Sequence, residues 1–251
     1  MGAIKVVAGH GTPPSLLHAV IACGRALSAI GAGFALTRNG GLLEPLVAGD
    51  PVSAGLDELQ STLGEGPSND VVRVGVPVLE PNLADHRAVQ RWPVFAPAAT
   101  ERGVHGVFAF PVGLGAAMVG ALTVYRQQAE PLRPQALQDA LVFTDAVLVL
   151  ALDYGNRINS GADHLIEATF STRRAEVHQA AGVVAAREDI SVTDALARLR
   201  AQAYSSGRPL YEIAAQVMAD QLRRNEQSRQ SEVQPRSAHD AAAENADKGK
   251  D

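Results

Sequence analysis

A change in hydrophobic pattern near residue 160 limits what this 251-residue chain can fold into. Before it, short apolar runs typical of strands alternate with amphipathic segments, and Gly and Pro separate them. After it, the apolar residues recur only at helical spacing. The stretch between the two, residues 155–163, has the polar composition of a linker. We therefore predict an α+β domain with one antiparallel sheet and flanking helices, followed by an all-α three-helix domain.

The Gly, Pro and polar residues between the apolar segments also suggest the domain boundaries. We predict a flexible N-terminus over residues 1–14, an α+β domain over 15–153, a linker over 154–163, a three-helix domain over 164–226 and a disordered tail over 227–251. The tail is rich in Ser, Ala, Asp and Lys, a composition that buries too little apolar surface to fold.

Within the first domain, the pattern predicts individual elements. Helices are expected over 15–30, 57–63, 68–74, 91–102 and 134–154, a hairpin over 33–50, and strands over 75–79, 104–110 and 118–125. The second domain is expected to contain helices over 164–187, 191–206 and 209–225. Ser191 and Asp194 form a variant of the capping box at the start of the middle helix.

Charge and cysteine content exclude several classes of protein. The net charge is −5, and residues 154–226 hold nine arginines against nine acidic residues, so long-range attraction of nucleic acid is weak. The one cysteine, Cys23, rules out an intrachain disulfide and fits a reducing, cytoplasmic setting. No apolar run approaches 18 residues and no secretory signal begins the chain, so we expect no membrane association.

We expect no enzymatic activity. Nucleophile-elbow, phosphate-loop, dinucleotide and zinc-protease motifs are all missing, and the seven histidines include no pair at helical spacing. Cys23 lies on an apolar helix face, where a buried and inert thiol is the expected state. The sequence therefore predicts no metal and no cofactor other than an unidentified small-molecule ligand.

The helix predicted over 134–153 has a stripe at Leu137, Leu141, Thr144, Leu148 and Ala151 with heptad spacing. Such a seam pairs two chains in a coiled coil, and we predict a homodimer through this helix. The alternative is that the stripe packs on the sheet of its own chain.

Residues 173–222 contain a set of residues at family-like spacing: Val177, Gln179, Ala180, Gly182, Arg187, Asp194, Ala195, Leu196, Leu199, Arg200, Ala203, Leu210, Ile213 and Ala214. On these residues, the segment resembles the ANTAR domain, an RNA-binding antitermination module. Many relatives have Lys or Thr where this chain has Ala181. If that position contacts RNA, the substitution alters affinity or target choice.

The resemblance implies recognition, as a dimer, of a pair of RNA hairpins with six-base loops. Because such loops expose unstacked bases, a protein that reads them needs hydrogen-bond donors and a stacking group. Arg200 is the best single candidate, and Tyr204 is the candidate for stacking. The full set of RNA-binding candidates is Arg173, Arg174, His178, Arg187, Arg200, Tyr204 and Arg208.

The first domain resembles the GAF domain of actinobacterial GAF–ANTAR regulators. The matching residues are the run 57–67 (DELQSTLGEGP), 91–95 (RWPVF), 107–111 (VFAFP) and 120–126 (GALTVYR). Relatives often have Cys at position 68, so Ser68 removes any thiol-based sensing, and the cyclic-nucleotide signature is missing. The resemblance implies a sensor pocket, for which the candidates are Glu65, Trp92, Phe95 and Phe108. The alternative is that the glycines around Glu65 form a tight turn and Trp92 is core.

The expected function is transcription regulation by antitermination, with RNA hairpins as the partner. Two alternatives remain open. The C-terminal helices could form a DNA-binding helix-turn-helix, although the segment 209–221 is acidic and apolar, which suits a major groove poorly. The chain could also be a sensor or dimerisation module that acts only through protein contacts.

Overall fold

A computed structural model describes the backbone of residues 13–37, 43–115, 117–159 and 164–233, and side chains outside 156–175 and 229–233. The chain divides into two units, Met1–Ser171 with Arg200–Pro209, and Thr172–Leu199 with Leu210–Asp251. The described elements are α1 Leu16–Ala26, β1 Gly31–Thr37, β2 Leu43–Ala48, α2 Pro51–Leu63, α3 Pro67–Val74, β3 Val78–Glu80, α4 His86–Arg91, α5 Phe95–Glu101, β4 Gly106–Leu114, β5 Ala117–Arg126, α6 Pro134–Asn159, α7 His164–Glu188, α8 Val192–Ser206 and α9 Leu210–Val233.

The five strands form one antiparallel sheet in the order β2-β1-β5-β4-β3, as the α+β prediction required. The central pair β4–β5 runs from Gly106 opposite Arg126 to Leu114 opposite Ala117. The predicted hairpin is the pair β1–β2; its tip, residues 38–42, lies outside the described residues. The short β3 forms one edge of the sheet, where the prolines near it remove no central ladder bond.

Alternating side chains of the strands face two separate hydrophobic cores. Phe108 and Phe110 pack with α1 and α6 on one face, whereas Val107 and Ala109 pack with α2 to α5 on the other. This alternation is the period-two pattern that predicted strands in this region. Both faces of the sheet are therefore covered by helices.

Capping residues explain where several helices begin. Ser15 accepts a hydrogen bond from the backbone N–H of His18, and the His18 side chain accepts one from Ser15 N, a complete capping box. The helix predicted over 57–63 begins earlier, at Pro51, because Asp50 caps it through the backbone N–H of Ser53 at 2.9 Å. Proline at the first helical position suits this start.

Several other predicted boundaries differ from the structure. The helix predicted over 91–102 begins only at Phe95, and the separate helix α4, which was not predicted, ends at Arg91, because Pro93 lacks the N–H that would continue the ladder. The helix α6 continues to Asn159, into the predicted linker. The helix α9 continues to Val233, so residues 227–233 of the predicted tail are helical; the predicted N-terminal region up to residue 12, and residues 234–251, lie outside the described residues.

The predicted seam of α6 is split between two environments. Thr144 and Ala151 are buried inside the unit, and Leu137 and Leu148 are partly buried against the core around Phe143 and Val147. The outward apolar residues are instead Leu141, Val142, Val149 and Leu152, at 45, 61, 61 and 47% exposed. The inward face of the helix is thus rotated relative to the predicted stripe.

Among the described residues, Pro134–Gly155 is the one helix long and apolar enough to cross a membrane by length and composition. No single apolar run predicts it, since Asp139 and Asp145 interrupt the segment. Its buried residues form part of the core on one face of the sheet.

Helices α7, α8 and α9 form the three-helix region expected after residue 164. Their inward residues are small or aliphatic and nearly inaccessible to solvent. They are Val177, Ala180, Ala181, Val184, Ala185, Ala195, Leu199, Ala203, Leu210, Ile213 and Ala214. The Ser191 hydroxyl caps α8 by accepting from Asp194 N at 3.0 Å, as predicted.

Candidate nucleic-acid interface

The predicted RNA-binding residues differ in accessibility. His178, Arg187 and Arg208 are exposed, and Tyr204 is 49% exposed, so its ring is available for stacking. Arg173 and Arg174 lie on α7, but their side chains fall outside the described residues.

Arg200, the best single candidate from sequence, is only partly accessible. Its Nε is buried and has no hydrogen-bond partner among the described residues. Burial lowers the pKa of the Arg200 guanidinium below its ordinary value. An arginine has five N–H donors, so those that still reach solvent remain available to a ligand.

The structure answers the question that Ala181 raised. Its side chain is fully buried beside Val177 and Val184 on the inward stripe of α7, so this position does not face solvent. A lysine here would place a charge in a small core, which is unfavourable without a partner. The condition under which the substitution would alter RNA binding is therefore not met by the side chain of Ala181, which offers no accessible surface in this chain.

A groove between α7 and α9 adds residues that the sequence did not single out. We define the α7–α9 groove by Gly182, Ala186 and Arg187 on α7, and Met218, Gln221 and Arg224 on α9. The groove has a volume of about 670 Å³. The sequence signal for this side of the groove is the spacing of three residues between Met218, Gln221 and Arg224, which places them along one face of a helix. Arg224 lies beyond Leu222, where the ANTAR resemblance ends.

The predicted sensor-pocket residues do not come together at one place. Trp92 and Phe95 meet edge to face in the core beneath α2 to α5, with ring centroids 6.4 Å apart. Glu65 joins them through its Oε1, which accepts from Val94 N and Phe95 N, both at 2.8 Å. Phe108 belongs to the core on the other face of the sheet.

Trp92 and the glycines beside Glu65 follow the alternative expectation. Trp92 is 1% exposed, and its Nε1 donates to Asp70 Oδ2 at 2.9 Å. Gly64 and Gly66 have φ of 68° and 119°, conformations that favour glycine. The Gly64–Gly66 segment is a tight turn, and Trp92 is core.

A buried polar network lies between α2 and the sheet. The Tyr125 hydroxyl donates to Asp57 Oδ1 and accepts from Gln60 Nε2 at 2.8 Å. Gln60 Oε1 accepts from Ser68 N at 2.8 Å, and the Ser68 hydroxyl lies 2.6 Å from that of Thr123. Ser68, where relatives have Cys, is therefore a structural member of this network. The sequence did not predict the pairing of Asp57 and Tyr125, because nothing in their spacing marks them as neighbours.

Asp57 is an acid in an unfavourable environment. Its Oδ2 has no hydrogen-bond partner among the described residues, and it lies where a Cβ on Gly33 would overlap it. Burial raises the pKa of Asp57 to about 7; the Tyr125 hydrogen bond opposes this shift, while Asp50 and Glu58 add to it. Burial also raises the pKa of Tyr125, so the hydroxyl stays protonated and donates.

Residues 170–218 match the family model of the ANTAR domain. The chain therefore carries an ANTAR domain over these residues, and the resemblance read from the sequence is confirmed. The match spans α8, most of α7 and the first nine residues of α9. A search of curated proteins found no match.

Among solved structures, the chain is similar to GAF domains. It shares 16% identity with the GAF domain from a phosphoenolpyruvate-protein phosphotransferase of Coxiella burnetii, covering 64% of this chain and 95% of that one, with a TM-score of 0.46. For the corresponding domain from Acinetobacter, the values are 13%, 63%, 96% and 0.45. For the A. aeolicus nlh2 GAF domain in an inactive state, they are 15%, 62%, 93% and 0.39.

Proposed function

We propose that this chain is a cytoplasmic, non-enzymatic regulator that binds hairpin RNA in nascent transcripts and prevents premature termination. The ANTAR domain over residues 170–218 is the observation that supports this most. The exposed side chains of Arg187, Tyr204 and Arg208 add donors and a stacking surface suited to unpaired bases.

In this proposal, the ANTAR helices hold one RNA hairpin and so deny the transcript the competing terminator hairpin. The sheet unit senses a small molecule or sets how two ANTAR domains are presented together. Its polar network around Asp57 and Gln60 is buried and internally bonded, so a change at this place alters packing between α2 and the sheet.

The test is a gel shift at stated salt with the full chain and an RNA that carries two six-base-loop hairpins. The matched control RNA keeps both stems and scrambles both loops. Tighter binding to the native loops is expected, because base edges in the loop, and not the phosphates, carry sequence information. Equal binding to both RNAs would refute specific recognition.

Duplex DNA of the same length forms a second arm of this experiment. Preference for duplex DNA would favour a helix-turn-helix regulator over an RNA-binding one. If the chain binds neither nucleic acid, a module that acts only through protein contacts becomes the better explanation.

We also propose that the chain is a homodimer through α6, on the outward face that contains Leu141, Val142, Val149 and Leu152. Apart from the exposed Asp145, this face is apolar and exposed on a single chain, which is unusual for a surface without a partner. The double variant Val142→Arg with Val149→Arg places charges on it and is expected to halve the mass in light scattering. Gln90→Arg, at an exposed position of α4 on the other face of the sheet, is the control. An unchanged mass in the double variant would place the interface elsewhere.

A further inference from the structure

The floor of the α7–α9 groove contains small residues. A Cβ built on Gly182 would have no atom within 4 Å, so glycine leaves open space at the centre. Ala186 follows one helical turn later, and Met218 lies partly buried on the opposing helix. Methionine provides a polarizable apolar surface that adapts to flat rings. The floor therefore suits a flat, partly apolar ligand.

The rim of the α7–α9 groove is cationic and rich in donors. Arg187 Nη2 donates to Gln221 Oε1 at 3.1 Å, and Gln221 Nε2 donates to Asn225 Oδ1 at 3.0 Å, which orders the arginine at the edge. Arg224 lines the same groove. In the part of the chain that the structure describes, no carboxylate lines it. The rim thus favours an anion that also presents hydrogen-bonding edges.

Neighbouring acids on these helices are engaged by other arginines. Glu188 pairs with Arg198, and Asp220 pairs with Arg223 at 2.5 Å. Arg187 and Arg224 face the groove instead, so the charge at its edge is positive.

We infer that the α7–α9 groove receives one unpaired base of the RNA loop, with the adjoining phosphate at Arg187 and Arg224. The base lies over Ala186 and Met218, and its edge reaches the amide of Gln221. A helix from a second protein would need an apolar rim, whereas two guanidinium groups and an amide match a nucleotide. This inference rests on the proposed function and identifies the place of loop recognition within it.

The test fills the groove without touching the core. Gly182→Leu projects a side chain into the open space, and it replaces the weakest ordinary helix former with a strong one, so folding is preserved. Binding of the native-loop RNA by the full chain is expected to weaken at least about fivefold, the lower end of what one stacked base contributes. Gly182→Ala is the matched control; its methyl group leaves the groove open, and its affinity is expected to be unchanged.

Charge is tested separately on adjacent residues of α9. Arg224→Gln is expected to reduce the slope of log K against log salt by about 0.7–0.9, the value for one lost phosphate contact. Arg223→Gln makes the same charge change at a residue that is paired with Asp220, and a smaller effect is expected.

The outcomes distinguish failure of the proposed function from failure of the α7–α9 groove as the binding site. If the wild-type chain does not distinguish native from scrambled loops, the proposed function itself fails. If it does, and Gly182→Leu binds as tightly as wild type with unchanged helical circular dichroism, the groove is not the site. A change in the mass of Gly182→Leu by light scattering would make the groove a contact between copies and overturn the inference.

Discussion

Replacing Asp57 with asparagine should remove the fall in stability of the sheet unit that the Asp57 carboxyl causes as the pH rises. The carboxyl pKa is raised from 3.8 to about 7 in the folded chain, so the folded state holds a proton that the unfolded state has lost. The contribution of protonated Asp57 to the free energy of unfolding is therefore fully present below pH ~4. It falls as the pH rises and levels off above pH ~7. A shift of about three pKa units corresponds to about 4 kcal/mol at ~1.4 kcal/mol per unit.

The asparagine side chain of the Asp57→Asn variant would keep an oxygen that accepts from Tyr125, but it would leave a buried amide N–H group beside Gly33. That group costs roughly 1–3 kcal/mol if it finds no partner. Asp57→Asn is therefore expected to be less stable than wild type at pH 4, where wild type has lost only about 0.6 kcal/mol of this contribution, and more stable, by about 1–3 kcal/mol, at pH 8. The crossover between these pH values is the distinguishing result.

The assay is urea unfolding followed by tryptophan fluorescence. Trp92 is the one tryptophan in the sequence and lies in the core beside α2 to α5, so it reports on this unit. Tyr125→Phe is the complementary variant; it removes the donor that lowers the Asp57 pKa, so the fall in stability should extend to higher pH. A difference between wild type and Asp57→Asn that stays constant from pH 4 to pH 8 would refute the reasoning.

Three further predictions concern other buried features. Glu65→Ala removes the acceptor of two backbone N–H groups at the start of α5 and should destabilise the unit by about 1–3 kcal/mol in the same urea assay; Glu65→Gln should recover part of this. Gly33→Ala would force a methyl group onto the Asp57 carboxyl and should cost about 1–3 kcal/mol or more, visible as a lower melting temperature. Burial raises the pKa of the Cys23 thiol to about 12, so a thiol reagent at pH 8 should label Cys23 only at the rate of unfolding; rapid labelling of the native chain would contradict its buried position.

The order and type of most elements could be predicted from sequence, because their signals are local. Ser15 before an apolar helical stretch, the hairpin around residues 38–42, and the glycine-free helical pattern of α8 each lie within about one window of the chain. The ANTAR resemblance was equally readable, since the inward residues of its helices, such as Val177 and Ile213, keep their spacing whatever surrounds them.

Helix ends were predicted less well, because they depend on competing neighbours. Pro93 moved the start of the helix predicted over 91–102 to Phe95, and Asp50 began α2 six residues earlier than the pattern suggested. The C-terminal ends of α6 and α9 lie beyond the predicted ends, in polar residues. Once a helix is nucleated, each added residue costs little free energy even without an apolar side chain.

Which side chains meet was decided only by the tertiary structure. Asp57 and Tyr125 are brought together by the packing of α2 against β5, and Phe108 is separated from Phe95 by the sheet itself. Ala181 points inward and Gly182 lies in a groove, although they are adjacent, because one residue rotates the side chain by about 100° around a helix. Sequence periodicity gives the spacing of a stripe, but the phase of that stripe is set by the partner surface against which the helix packs.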